Sequence, residues 1–167
     1  MKSNPIYEER VTSTWTEALF SFFTILFLSL LIWWMGTGNQ DAISIAFLCL
    51  FIFFLFYALN YRVLIIRITS SYLKLRFGIF TWTVPLDNVA EFQLDHLPVF
   101  MWYGGAGIHY MLIRGRYRAS FNFLEHPRVV IALHKKAGLV QDVSFSTRRP
   151  NEVLQSIQEA IAKSQVV

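Results

Sequence analysis

The stretch ALFSFFTILFLSLLIWWM, residues 18–35, and the stretch AISIAFLCLFIFFLFYALNY, residues 42–61, decide the fold of this chain. Neither contains a charged residue. At about 1.5 Å per residue in a helix, each is long enough to cross a hydrocarbon core of about 30 Å. They predict a transmembrane helical hairpin over residues 18–61. Two buried helices in a soluble protein are the alternative, which the length of both uncharged runs disfavours.

Charges on either side of the hairpin predict its orientation. From Arg62 onward the chain carries 13 Lys and Arg residues against 7 Asp and Glu, whereas the preceding part has a net charge of −2. The turn at 36–41 contains no Lys or Arg. The positive-inside rule therefore puts both termini on the cytoplasmic side of the membrane. The predicted interface anchors are Trp15, Trp33, Trp34, Tyr57, Tyr61 and Arg62.

The first 17 residues form a separate cytoplasmic segment in this interpretation. Tyr7, Val11 and Trp15 recur at a spacing of four, which would place them on one face of an interfacial helix. A frayed terminus is the alternative.

The sequence predicts one small domain over residues 62–167, because apolar residues recur at every second position after Arg62, as in β-strands. The alternation predicts about seven antiparallel strands, at 63–69, 72–77, 80–84, 89–94, 117–123, 129–134 and 140–145. Pro150 and the apolar spacing that follows it predict an amphipathic helix over about 150–164. The expected fold is therefore an α+β membrane protein, in which a helical hairpin precedes a curled sheet, barrel or sandwich capped by the helix.

Three stretches of this domain resemble the opening strands of bacterial pleckstrin-homology-like domains. They are Ile68–Leu73, Arg76–Phe80 and Val84–Val89, and the pattern Gly105-Ala106-Gly107-Ile108 is similar to that family's mid-domain signature. The resemblance covers about residues 63–163. The family usually has Trp in place of Ala106 and Arg in place of His109. The resemblance implies a partly open, seven-stranded antiparallel barrel with a C-terminal helix, and it implies no reaction.

Residues that could carry catalysis are scattered in the sequence. His96, His109, His126 and His134 form no metal-ligand motif, and no phosphate loop or nucleophile elbow is present. Asp87, Glu91 and Asp95 recur every four residues, but the surrounding alternation favours solvated positions on strands and turns. The sequence therefore predicts a protein without a catalytic site, a cofactor or a metal.

One apolar segment and its glycines are candidates for contact with another molecule. Phe100, Met101, Trp102 and Tyr103 are bulky, and Gly104, Gly105 and Gly107 follow them. Such a segment needs a cover, which could be the bilayer interface, a partner protein or the domain itself. The glycines would allow a sharp loop or a close approach of strands.

A basic stripe is the second candidate. Arg114, Arg116 and Arg118 alternate, so on a strand they would lie on one face. Such a face could bind lipid phosphates or the acidic side chains of a partner, or it could simply be solvated. Nucleic acid is a less favoured partner because no dense basic run is present.

These features together predict a non-catalytic, membrane-anchored interaction or scaffolding module. Its expected partners are membrane lipids and other subunits of a larger membrane complex, for which it would be an accessory or assembly subunit. The alternative is a membrane-bound enzyme or transporter component that acts on a lipid-soluble substrate. That alternative predicts ionisable residues within the membrane. The two apolar stretches contain no charged residue and one cysteine, Cys49.

Overall fold

A computed structural model describes residues 4–38, 41–95 and 106–164. Two long helices and a C-terminal helix accompany nine strands within those residues. In chain order the elements are β1 (Tyr7–Thr12), α1 (Thr14–Gly36), α2 (Ala42–Asn60), β2 (Val63–Ile68), β3 (Tyr72–Phe77), β4 (Phe80–Pro85), a 3-10 turn (Leu86–Asn88), β5 (Val89–Leu94), β6 (Gly107–Ile113), β7 (Arg116–Asn122), β8 (Arg128–Ala137), β9 (Val140–Ser146) and α3 (Pro150–Ser164).

The N-terminal segment is a strand, so the prediction of an interfacial helix was wrong. Tyr7 and Val11 do share a face, but they do so with period two: Tyr7, Glu9 and Val11 are buried and the residues between them are exposed. Trp15 belongs to the first turn of α1 and is exposed. The strand forms because β1 pairs antiparallel with β2, a partner more than 50 residues away in the chain, from Tyr7 opposite Ile68 to Thr12 opposite Val63.

Helices α1 and α2 confirm the expected pair of apolar helices. Their 23 and 19 residues make both long and apolar enough to cross a membrane. Ser13 caps α1 by accepting from the Thr16 amide, and Asp41 caps α2 by accepting from the Ile43 and Ser44 amides. The helices pack on each other through aromatic rings, with Phe54 stacked on Phe23 and Phe27 at centroid distances of 4.9 and 5.4 Å.

The outer surfaces of this helical pair are uncovered. Only Thr16 and Phe20 are buried in α1, and no residue is buried in α2. Core helices of a soluble protein would bury most of their apolar side chains, because exposed apolar area costs about 25 cal/mol per Å². Ile25, Ile32 and Ile45 are instead 63–65 % exposed. The helical pair therefore exposes an apolar surface, as expected of helices that lie in an apolar environment.

The helical pair is inserted directly between two neighbouring strands. Ser13 alone separates β1 from α1, and only Tyr61 and Arg62 separate α2 from β2. Because β1 and β2 are antiparallel neighbours, α1 begins and α2 ends at the same end of the domain. This end is called the root end below, and the opposite end the far end. An ion pair of 2.6 Å between Arg62 Nη2 and Glu17 Oε1 joins the two helix roots.

The strands form two sheets that face each other across one core. The first has the order β1-β2-β3-β4, and the second has the order β5-β8-β9-β7-β6, in which β7 and β9 are parallel. Ring contacts between Phe77 and Phe123, at 5.1 Å, and between Trp82 and Phe121, at 6.3 Å, cross from one sheet to the other. The prediction of a sheet-rich module is confirmed, but seven antiparallel strands become nine strands in two sheets.

Helix α3 confirms the predicted C-terminal helix and covers one side of the sandwich. Its buried stripe is Val153, Ile157 and Ala160, and it contacts β2, β5, β8 and the 3-10 turn. A buried carboxylate holds the chain just before this helix. Glu9 in β1 accepts hydrogen bonds from the Tyr7 hydroxyl at 2.9 Å, the Thr147 hydroxyl at 2.5 Å and the Arg148 amide at 3.0 Å.

Candidate functional site

The outer face of the five-stranded sheet is polar, although much of it is buried. In β7, Ala119 and Phe121 lie in the core, so the alternate residues Arg118, Ser120 and Asn122 lie on the outer face. These three are only 8 %, 0 % and 2 % exposed. Buried polar side chains on a sheet face cost free energy unless each has a partner, so this face is a candidate functional site.

Ion pairs connect three strands of this face. Arg118 Nη1 donates to Asp95 Oδ1 at 3.1 Å, and Arg118 Nη2 lies 3.7 Å from Asp142 Oδ2. Arg128 Nε lies 3.5 Å from the other oxygen of Asp95. Burial lowers the pKa of Arg128, and the nearby charge of Arg118 lowers it further while Asp95 opposes the shift. Two buried guanidinium groups thus share one carboxylate, which makes this cluster sensitive to any change of charge.

Short side chains complete the face toward the root end. Ser144 Oγ donates to Ser120 Oγ at 3.0 Å, and Ser146 Oγ donates to Asn122 Oδ1 at 3.1 Å. Ser146 Oγ also accepts from the Phe123 amide at 2.9 Å. These bonds follow from the register, because Ser120 lies directly opposite Ser144 in the parallel β7–β9 pair. This part of the face is tied together within the sheet.

His109 extends the polar face onto the edge strand β6, where it pairs with Ser120. Burial lowers the pKa of His109 to about 4, and the charge of Arg128 adds to that shift. The imidazole is therefore neutral at pH 7. Its Nε2 is buried and has no hydrogen-bond partner among the described residues.

A groove of about 430 Å³ runs along this face toward the far end. Glu91 and Gln93 of β5 form one side, Arg114, Arg116 and Arg118 form the other, and Asp142 lies between them. Arg116 donates to Asp142 Oδ1 from both Nε and Nη2, at 2.9 and 2.7 Å, and these bonds raise its pKa. The arginine-lined side can accept an anionic group through charge-assisted hydrogen bonds.

The structure changes the interpretation of the basic stripe. Arg116 and Arg118 do share a face of β7, as predicted, but Arg114 lies in the β6–β7 turn with φ of 50°. Arg118 is buried against carboxylates of its own chain, because the neighbouring strand β9 places Asp142 directly opposite it. Arg114 and Arg116 are the members that solvent reaches.

Asp95 also departs from its predicted solvated position. Its side chain is only 5 % exposed, since β5 ends beside β8 and its carboxylate meets Arg118 and Arg128 there. Glu91 is exposed on the groove wall, and Asp87 lies in the 3-10 turn. Despite their spacing of four, these three residues therefore share no common structural environment.

The predicted contact segment Phe100–Tyr103 lies outside the described residues, as do Gly104, Gly105 and His96. Gly107 begins β6 with φ of 104°, and a Cβ at this position would lie 3.3 Å from the Tyr61 ring. Gly107 thus allows a close approach of the Tyr61 ring rather than of another strand.

The predicted interface anchors differ in their exposure. Trp15 and Trp33 are 71 % and 62 % exposed, as a position at a membrane interface requires. Tyr61 is only 5 % exposed, because its ring packs on Tyr57 and Phe77 between the helices and the sandwich. Tyr61 is therefore a core residue, and its assignment as an interface anchor was wrong.

The remaining predicted anchors have partners within the chain. Tyr57 is half-buried and packs on Phe20, with its ring centroid at 5.2 Å. Trp34 is also half-buried and donates from Nε1 to Asp41 Oδ1 at 3.0 Å. Arg62 is held by Glu17 across the helix roots.

Sequence reasoning missed Arg128 and Asp142, which complete the polar cluster. The available signal was weak: Asp142 and Ser144 alternate with the apolar Val143 and Phe145, so a polar face on β9 could be expected. The partner of Asp142 could not be expected, because its contact with Arg118 depends on the parallel pairing of β7 and β9.

Comparison with known proteins identifies no relative. No protein-family model, curated protein or solved structure matches this chain. Within residues 4–38, 41–95 and 106–164, no group of three or more His, Cys, Asp or Glu side chains is arranged to hold a metal ion.

Proposed function

We propose that this chain is a membrane-anchored binding module, in which α1 and α2 cross the bilayer and hold the β-sandwich against one membrane surface. The observation that carries the proposal is the direct insertion of an exposed apolar helical pair between β1 and β2. One residue and two residues are too few to act as flexible linkers. The sandwich therefore has a defined position relative to the helices.

The groove supports binding rather than catalysis as the task of the sandwich. Asp142 and Asp95 each accept from an arginine, so neither is a free carboxylate poised for proton transfer. Arg114 instead presents positive charge at the far end of the groove, beside Arg116, which is paired with Asp142. An acidic segment of a neighbouring subunit of a membrane complex is the partner that this charge fits best, and the chain would be an accessory or assembly subunit of that complex.

Location and ancestry belong to the same proposal. The excess of positive charge after Arg62 favours the cytoplasmic face of the membrane for the sandwich and both termini, and the resemblance to bacterial domains favours a bacterial inner membrane. A pleckstrin-homology-like origin is supported by the sequence resemblance and by the helix α3 on a strand-rich domain. Nine strands in two sheets go beyond the seven that such an origin implies.

The test is native mass spectrometry of the full chain, purified from its membrane in a mild detergent. The chain should carry a bound protein subunit, and Arg114→Glu should remove it, because this change reverses the charge at the groove rim. Lys163→Glu is the matched control, since it reverses an exposed charge on α3 and should keep the subunit. A chain that is always solitary, or a subunit that survives Arg114→Glu, would refute the groove as its binding site.

A further inference from the structure

The β3–β4 turn at residues 78–79 brings exposed apolar side chains to the root end of the sandwich. Ile79 is 71 % exposed and Phe80, the first residue of β4, is 40 % exposed. Exposure alone decides little, because Leu139 in the β8–β9 turn is 74 % exposed at the far end. The position of the β3–β4 turn beside the helical pair is what distinguishes it.

Three contacts fix this turn against the end of α2. The Ile79 amide donates to Asn60 Oδ1 at 3.4 Å. Gly78 has φ of 57°, and a Cβ there would lie 2.5 Å from the Asn60 carbonyl oxygen, so the two backbones are in close approach. The centroid of the Phe80 ring lies 6.3 Å from that of Phe56 and 6.2 Å from that of Tyr61. The turn is therefore held at a set height beside the last turn of α2.

The apolar surface of α2 continues onto the turn. Leu59, in the last turn of α2, is 65 % exposed, and Phe56 is 37 % exposed beside Phe80. At the start of α1, Trp15 in the first turn has an exposed indole, a side chain that favours the headgroup level. Arg62 supplies a cation at the same end. Apolar and amphipathic side chains at the end of a membrane helix are those that partition into the interfacial layer.

We infer that the β3–β4 turn is a third membrane contact, which inserts Ile79 and Phe80 into the interfacial layer of the same leaflet in which α1 begins and α2 ends. The occupant of this surface is lipid at the boundary of headgroups and acyl chains. Together with the two helices, the turn fixes the tilt of the sandwich on the membrane and so sets the direction in which the groove opens. This inference rests on the proposed membrane anchoring.

The test measures the depth of single fluorophores in the full chain, reconstituted in phosphatidylcholine vesicles with a fraction of anionic lipid. In a Cys49→Ser background, Ile79→Cys, Thr81→Cys and Thr83→Cys place an environment-sensitive label at steps of two residues along the exposed side of the turn and β4. Successive labels are about 7 Å apart along the strand. Leu28→Cys in the middle of α1 and Leu139→Cys at the far end are the controls. Lipids brominated along the acyl chain act as the quencher.

The inference predicts strong quenching at Leu28, clear quenching with a blue-shifted emission at Ile79, a decrease from Ile79 to Thr83, and none at Leu139. If Leu28 is quenched while Ile79 behaves like Leu139, the turn does not contact the membrane and the inference fails, although the anchoring stands. If Leu28 itself is not quenched, the helices do not cross the bilayer, and both the anchoring and the inference fail. Because all three labelled positions of the turn and β4 are exposed, no single misfolded variant decides the result.

Discussion

Asp95→Asn should destabilise the sandwich far more than an isosteric change of one carboxylate normally does. The Asp95 side chain is only 5 % exposed, and it lies 3.1 Å from Arg118 and 3.5 Å from Arg128. Asparagine keeps the shape but removes the negative charge, so two buried guanidinium groups lose the anion that they share. Breaking a buried ion pair in this way costs about 3–5 kcal/mol.

The loss should be visible as a shift in melting temperature, measured by circular dichroism on the full chain in detergent. One kcal/mol corresponds to about 2–4 °C in a protein of this size, so we expect a decrease of about 10 °C. Asp87→Asn is the matched control: it is the same chemical change in the 3-10 turn and should shift the midpoint by less than about 2 °C.

A double variant separates charge from shape. Arg118→Met in the Asp95→Asn background removes one of the two cations that lose Asp95, so the double variant should be more stable than the sum of the two single changes predicts. If the Asp95→Asn variant has the melting temperature of the wild-type chain, or if the effects of the two changes are simply additive, the buried arginines do not depend on Asp95 for stability.

Three further predictions concern other parts of the fold, each measured by the melting temperature. Glu9→Gln should cost about 2–4 kcal/mol because the buried Glu9 carboxylate accepts three hydrogen bonds, whereas Glu8→Gln breaks an exposed pair and should cost less than about 1 kcal/mol. Equal losses would contradict this. Folding lowers the pKa of His109 from 6.5 to about 4, so the folded protein keeps the imidazole neutral where the unfolded chain would protonate it. The full stability is present above pH 6.5, and up to about 3 kcal/mol of it is lost as the pH falls from 6.5 to 4. His109→Gln should lose less stability over that range, and a variant with the same pH profile as the wild-type chain would count against a buried imidazole. Gly78→Ala should cost at least about 1 kcal/mol more than Gly138→Ala, since both glycines have positive φ but only the first meets a backbone atom within 3 Å; comparable losses would place the β3–β4 turn away from α2.

Local periodicity made most of the individual elements predictable. The helices at 18–35 and 42–61 correspond to Thr14–Gly36 and Ala42–Asn60, and the helix predicted over 150–164 is Pro150–Ser164. Seven of the strands were also expected near their observed positions. Each of these elements shows a hydrophobic period of its own, so a short window of sequence is enough to predict it.

The elements that were missed depend on distant partners. The segment at Tyr7–Thr12 is compatible with a short helix until β2 supplies its hydrogen bonds. In β6, the run from Gly107 to Ile113 follows a glycine-rich stretch, and its apolar residues alternate poorly with polar ones. Its pairing with β7 is what makes it a strand.

The candidate site was harder to predict than the fold. Arg118 was identified, but its burial follows from Asp95 and Asp142, which lie 23 and 24 residues away in the sequence. Which strands are neighbours in a mixed sheet is decided by the packing of the whole domain, not by the period of any one strand. A charge that the sequence pattern places on a strand face can for this reason be neutralised within the chain.

Cysteine accessibility shows whether α1 and α2 cross a bilayer with the whole sandwich on one side. In a Cys49→Ser background, Met35→Cys marks the turn end of α1 and Leu139→Cys marks the far end of the sandwich; both native side chains are exposed. A membrane-impermeant maleimide, applied to sealed membranes of one orientation, should label only one of the two positions, and inverted membranes should show the opposite pattern. Labelling of both positions from the same side would mean that the helices do not span the membrane and would contradict the account.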